Sequence, residues 1–243
     1  MNSIGAYAGF AFIMGLVGLA ILIVLWPGER QGKRVLAGWG IKDPSHDEVT
    51  AAVQYLRRRR FWYPWLYLLL PAVPRLLGIE LPDLSFMGTI FVILLAGGLV
   101  AELLAQRPAH GPRREAVLQT RGVLDFVPAW ALVLGAVTEL AAVANLAFAA
   151  SWPRLWLALV LLLASWVIVL LAVRRPSAGT DRVDLALRCR SARVALGLGI
   201  GSAAGLAWTV GDFTSFLAFA VSLIAFSAIA SPPGKLPTTA RTA

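Results

Sequence analysis

Thr138, Glu139 and Asn145 sit inside an otherwise apolar stretch at 123–150, and they are the side chains whose types could do chemistry there. A carboxyl group in an apolar setting can hold a proton or a small cation, and a nearby hydroxyl and amide can complete its hydrogen bonds. The stretch is long enough to cross a hydrocarbon core of about 30 Å, which takes about 20 apolar residues. If its apolar part runs over 126–148, the centre is Val137, and Glu139 lies only about 3 Å from the midplane at 1.5 Å rise per residue. Snorkelling to either surface is closed to it. An acidic residue at a span centre costs about 2.5–3.5 kcal/mol on insertion scales, so Glu139 must face a bundle, either neutral or paired. No basic residue lies at comparable depth in any apolar stretch. Two readings follow. In one, Glu139 is a packing residue bonded to Asn145, Thr138, Ser165, Ser202 or a backbone carbonyl. In the other it is a proton or cation site.

Two further carboxylates sit near span ends. Glu102 falls about one turn before Arg107 and shares a helix face with Gly98, so it is expected to reach the interface or pair with a loop arginine. Asp125 is placed in the first turn of its helix, where the helix dipole favours a carboxylate and Arg113, Arg114 and Arg121 are near in sequence.

The elements that must position these groups are membrane helices. With 58% hydrophobic and 14% charged residues and a mean hydropathy of +0.74, the chain is far more apolar than a soluble domain, where about 25% of residues are charged. The pattern predicts an all-α integral membrane protein, one polytopic domain over 1–231 with seven spans at about 4–26, 61–78, 84–105, 123–150, 155–173, 194–210 and 213–230. The first run ends at Trp26-Pro27 without a small-residue cleavage site and is read as a retained span. The second enters through Phe61, Trp62, Tyr63, Trp65 and Tyr67, an aromatic belt, and is expected to kink or break at Pro71 to Pro74. The fifth, nearly pure Leu, Val, Ile, Ala and Trp, is expected to face lipid. The sixth places Gly197, Gly201 and Gly205 four apart, a helix-packing pattern that lets another helix approach closely, whether from this chain or another copy. Residues 232–243 read as a disordered cytoplasmic tail.

Between the first two spans, Ser45-His46-Asp47-Glu48 has capping-box spacing, and Val49, Ala52, Val53 and Leu56 recur at helical spacing. An amphipathic cytoplasmic helix at about 46–60 follows, ending in the basic cluster Arg57, Arg58, Arg59 and Arg60. Its apolar stripe is expected on the membrane surface with the arginines on anionic headgroups, at about 1 kcal/mol per basic residue.

Basic residues set the orientation. With the amino terminus outside and the carboxyl terminus cytoplasmic, all but Arg75 and Arg154 of the 22 Lys and Arg fall on the inner side, as the positive-inside rule requires. The strong excess of Arg over Lys fits a GC-rich coding sequence and a bacterial plasma membrane. The formal charge of +9 is absorbed by this topology signal, so nucleic acid is not expected as a partner. Arg107-Pro108, Gly111 and Arg114 recur in order as Arg175-Pro176, Gly179 and Arg182, which suggests a duplicated hairpin.

Enzymatic motifs are missing from the sequence. It holds no Walker loop, dinucleotide fingerprint, HExxH or GxSxG, its two histidines are isolated, and its one cysteine, Cys189, is placed in a basic loop. No catalytic residue, metal site or cofactor is expected. The preferred function is a non-enzymatic membrane component that packs with a membrane partner or with itself. The alternative is a small-solute or proton-coupled transporter that uses the midplane carboxylate.

Overall fold

The computed structural model describes residues 2–77, 82–106, 122–174, 181–208 and 212–236. Of the described residues 84% are helical, with no strand among them. Its helices are α1 (Asn2–Val24), α2 (Glu29–Gly38), α3 (His46–Phe61), α4 (Tyr63–Leu76), α5 (Phe86–Ala105), α6 (Ala129–Phe148), α7 (Trp152–Arg174), α8 (Asp181–Ala207) and α9 (Phe213–Ala230), with a 3-10 turn at Val123–Asp125 before α6.

Local chemistry sets the helix starts. The capping box of α3 forms as its spacing predicts: Ser45 Oγ accepts from the Glu48 N–H at 3.3 Å, and Glu48 Oε2 accepts from the Ser45 N–H at 2.8 Å, so two end donors are satisfied reciprocally. Ser85 caps α5 through the Gly88 N–H at 3.2 Å. Asp212 caps α9, taking the Ser215 N–H at 2.9 Å and the Thr214 and Ser215 hydroxyls at 2.5 and 2.7 Å. Those bonds favour its ionised form and hold the carboxyl down at about 2. Proline sets the start of α6, which begins after Pro128. Asp125 therefore lies before the helix, not in its first turn, and its carboxylate accepts from the Gly122 N–H at 2.7 Å.

Four helices, α5, α6, α7 and α9, are each long and apolar enough to cross a membrane. A fifth is added if α1 and α2, joined across an 87° bend, are taken together. Of the seven expected spans, the second corresponds to α4, which has 14 residues, short of the roughly 20 that a bilayer core takes. It runs through Pro71 and Pro74 as one helix and is not broken there. The sixth corresponds to the second half of α8, a 27-residue helix whose first half carries six charged residues.

The bundle is built around α8, which packs on α5, α6, α7 and α9 and is buried on nearly every side from Val183 to Ala207. A helix buried all round must let several neighbours close in, and small residues allow this. Gly197 lies under the ring of Phe226 from α9, Gly201 under Leu95 and Gly205 under Phe91, both from α5, while Gly199 lies against Ser165 of α7. The glycine pattern is thus used within the chain, by side chains that enter its gaps. The fifth expected span, α7, does not simply face lipid: Leu155, Ala158, Leu161, Leu162, Ser165, Ile168, Val169 and Ala172 are buried, most of that face against α8. Its opposite face, with Trp156, Val160 and Leu163, is exposed. The α1–α4 pair joins the rest through α5, with Met14, Tyr63, Leu66, Tyr67 and Ile93 forming a second core.

One end of the bundle collects the polar elements. There α2 packs on α3, with Gly32 against Val49 and Val53, and α3 packs on the ends of α5 and α8. The apolar stripe of α3 is consequently buried in protein, with Val49, Ala52, Val53, Tyr55 and Leu56 all in the main core, and not spread on a membrane surface as the sequence suggests. The first residues beyond α9 are also docked rather than free: the Gly234 N–H donates to the Gly38 carbonyl at 2.9 Å, and Leu236 packs on the core. Gly40 and Gly234 hold this junction at φ of +82° and +70°, where a side chain is disfavoured. Residues 237–243 of the expected tail lie outside the described residues, as do all of the first arm of the suspected hairpin repeat and Arg175, Pro176 and Gly179 of the second.

Gly18 tests the α1–α4 contact. A Cβ there would stand 2.7 Å from the Tyr63 carbonyl oxygen and 2.8 Å from Pro64 Cα, whereas one at Gly9 meets nothing within 4 Å. Since the obstacle is backbone, Gly18→Ala is expected to destabilise by about 1–3 kcal/mol and Gly9→Ala by less than about 0.5 kcal/mol, measured by thermal unfolding in mild detergent.

Candidate functional site

Two buried carboxylates define the candidate site, and they have opposite surroundings. Glu102, near the end of α5, is fully buried. Arg59 of α3 brings its Nε to 2.8 Å from Glu102 Oε2, and the Tyr55 hydroxyl donates to Oε1. That hydroxyl accepts in turn from Arg190 Nη1 of α8 at 3.1 Å, with the guanidinium over the Tyr55 ring at 5.5 Å. Glu102 thus pairs with an arginine, as expected, but the arginine comes from α3; Arg107 lies outside the described residues. Burial, then the charge of Glu102, pushes the Tyr55 hydroxyl well above the usual tyrosine range, so it remains a neutral donor.

A second layer surrounds this relay. Arg182 holds Glu48 through two contacts, Nε to Oε1 at 2.5 Å and Nη2 to Oε2 at 2.7 Å. The capping carboxylate of α3 is thereby also its tie to the start of α8. Asp184 and Arg188, one turn apart and both buried, approach at 2.6 Å. Gln106 Nε2 donates to Ser191 Oγ at 2.9 Å and to the Ile168 carbonyl at 3.2 Å, tying α5 to α7 and α8. Cys189, expected in a loop, is buried in α8. The basic cluster therefore does not act as a unit. Arg59 is consumed by Glu102, Arg57 lies over the Trp26 ring at 5.5 Å and donates to the Pro27 carbonyl at 3.3 Å, and Arg58 is exposed.

Glu139 lies at the middle of α6, close to where the sequence places it, and is 7% exposed. Its Oε2 accepts from Trp166 Nε1 of α7 at 3.0 Å, and its Oε1 has no hydrogen-bond partner. Oε1 points toward Gly199 of α8, beside Ser165. Of the other expected partners, Ser202 is buried with its hydroxyl unbonded, and the rest turn elsewhere. Thr138 donates to the Leu134 and Gly135 carbonyls, both at 2.9 Å, Ser165 to the Leu162 carbonyl at 2.8 Å, and Asn145 to the Ala207 carbonyl at 2.8 Å. Thr138, Glu139 and Asn145 thus do not form one constellation, and Asp125 belongs to the other end of α6. Chemically, Glu102 is a fixed ion pair, while Glu139 has one oxygen open to a proton or small cation. Among the described residues no three His, Cys, Asp or Glu side chains meet as a metal site would need.

Tyr55, Arg190, Gln106 and Trp166 are absent from the sequence-derived candidates. Tyr55 was recoverable, because Glu48, Ala52, Tyr55 and Arg59 are spaced four, three and four apart, which puts them on one helix face. That spacing singles out Arg59 from its neighbours. For Trp166 no local pattern exists.

The fold and its polar contacts define a class: among the described residues, an all-helical protein with several helices long and apolar enough to cross a membrane, packed around a central one. No family model, curated protein or solved structure matches the chain.

Breaking a buried ion pair on one side costs about 3–5 kcal/mol, so Glu102→Gln should unfold at markedly lower temperature or denaturant than the parent. Tyr55 adds a pH signature. Its folded-state value is raised above the ordinary 10, so its contribution is full below pH 10 and is lost as pH rises beyond it, where the unfolded chain ionises first. Stability measured from pH 8 to 11 should fall less steeply for Tyr55→Phe than for the parent.

Proposed function

We propose that the chain is a seven-span plasma-membrane protein, amino terminus outside and carboxyl terminus cytoplasmic, that acts as a non-enzymatic membrane component through its cytoplasmic end. The bacterial setting suggested by its arginine bias belongs to the same proposal. Support for the topology comes from contacts between segments assigned to the same side. Arg182 meets Glu48 and Gly234 meets Gly38 at the inner end; Arg154 donates to the Asp83 carbonyl at the outer end. At 1.5 Å per residue α4 covers about 21 Å, which a locally thinned bilayer or flanking loop residues can complete.

The observation that carries the component reading is the use of buried polar groups as braces. Glu102, Glu48, Gln106, Asn145 and Arg193 each tie one helix to another. The chain is thus braced as a scaffold, with a cationic face at one end. The glycine stripe no longer speaks for self-association, since α5, α7 and α9 occupy it.

A second reading, proton-coupled transport, is favoured by one specific observation: the unpartnered Oε1 of Glu139 at mid-span. Extraction into native-lipid discs with intact-complex mass measurement separates the two. The component reading expects a stoichiometric second membrane protein, and Glu139→Gln should assemble with it as the parent does. A lone chain whose proton or solute flux in vesicles disappears in Glu139→Gln, with unfolding unchanged, would sink the component reading in favour of transport.

A further inference from the structure

The cationic end contains a pocket that none of the bracing contacts requires. Its volume is about 240 Å³, and its walls come from Trp39, from Leu124 to Pro128 ahead of α6, from Arg193 of α8, and from Pro233 to Leu236 beyond α9. Three apolar helical segments end at this level: α6 begins after Pro128, α9 ends at Ala230, and the apolar half of α8 begins after Arg193. The pocket therefore sits where lipid headgroups meet the protein.

Its polar groups are set for an anion. Arg193 is 4% exposed and is fixed from behind: Nε donates to the Ile229 carbonyl at 2.7 Å, Nη2 approaches the Ala228 carbonyl at 3.4 Å, and the guanidinium lies 5.7 Å from the Trp39 ring centroid. A guanidinium has five N–H donors, and Arg193 forms part of the pocket wall. Lys235 supplies a second positive charge from the docked segment after α9. Asp125 is the one acidic wall, with one oxygen held by the Gly122 N–H. It disfavours a doubly charged phosphate and offers an acceptor to a hydroxyl.

We infer that this pocket binds the phosphodiester headgroup of an anionic phospholipid with a hydroxylated head, of the phosphatidylglycerol type. The phosphate lies between Arg193 and Lys235, the head hydroxyl bonds Asp125, and the acyl chains leave past Leu124 and Leu236 into the bilayer. The volume is smaller than the roughly 300–1,000 Å³ of sites that enclose whole small molecules, which suits a headgroup with its chains outside. This goes beyond a general attraction of the arginine run to the membrane, because it names one lipid at one place and involves none of Arg57 to Arg60.

The full chain is purified in mild detergent, and lipids retained by native mass spectrometry are compared after adding equal phosphatidylglycerol, phosphatidic acid and phosphatidylcholine. One phosphatidylglycerol per chain is expected to outlast the others. Lys235→Gln should weaken its retention about fivefold, the effect of about 1 kcal/mol per interfacial basic residue, while Arg58→Gln leaves it unchanged. Equal losses in the two variants would reduce the effect to diffuse charge and overturn the site, as would tighter retention of phosphatidic acid. Stabilisation by millimolar inorganic phosphate equal to that by phosphatidylglycerol would assign the pocket to a soluble anion and overturn the lipid. Arg193→Gln also removes a brace to α9, so the inference stands or falls on Lys235→Gln. Labelling of loop residues from either side of intact cells tests the seven-span topology separately, so failure of one does not entail failure of the other.

Discussion

Everything in this bundle depends on how closely other helices can approach α8. Between Val194 and Ala207 its side chains are mostly hydrogen or methyl, and four neighbours use the space. Hydrocarbon tails solvate leucine as well as protein does, so burial alone gives little drive for helices to associate in a bilayer; contact density and hydrogen bonds must supply it. Phe226, Leu95 and Phe91 entering the gaps over Gly197, Gly201 and Gly205 supply that density. A larger residue at any of these positions would displace a ring or a branched side chain and loosen the helix that carries it.

The same helix changes character along its length. Its first half buries Asp184, Arg188, Ser191 and Arg193, a set that hydrocarbon would not tolerate unpaired. Those groups are accommodated because α2, α3 and the segment after α9 form a proteinaceous cap over them. Charge and cap are mutually dependent. Without α3 the Glu102 carboxylate has no cation, and without Glu102, Arg59 and Tyr55 would bury polar atoms to no purpose. Such pairs add little net stability compared with apolar packing of the same volume. They do fix register, since only one placement of α3 on α5 and α8 satisfies Glu102, Glu48 and Arg190 together.

Sequence reasoning reached the elements more surely than their neighbours. Helix identity followed from apolar run length and from caps such as Ser45 and Glu48, which are local signals with local causes. The burial of α3 was not legible, because an apolar stripe of Val49, Ala52, Val53 and Leu56 reads the same whether it meets lipid or protein. The deciding fact, α2 folding back so that Gly32 meets Val49 and Val53, is long-range. The start of α6 was misplaced for a local reason: Pro128 has no N–H to extend a helix and restricts the residue before it. Glu102's need of a cation was legible, but not which arginine, since loop neighbours near in sequence were weighed above Arg59, which only folding brings near.

Glu139 is where these rules leave a remainder. Placing an ionised acid at a span centre costs about 2.5–3.5 kcal/mol, and a hydrogen bond to a charged group returns about 1.5–3 kcal/mol. The Trp166 N–H therefore roughly offsets the cost for one oxygen, and Oε1 is left without an answer. Glu102 meets a similar burden with an arginine and a tyrosine. A glutamine or leucine at 139 would remove the burden altogether, and neither lies far from glutamate in size. A carboxyl group retained with half of its bonding capacity open does nothing for packing that those residues would not do better. The physical argument therefore separates the two acids: Glu102 belongs to the architecture, and Glu139 is the one buried acid among the described residues whose chemistry the architecture does not use.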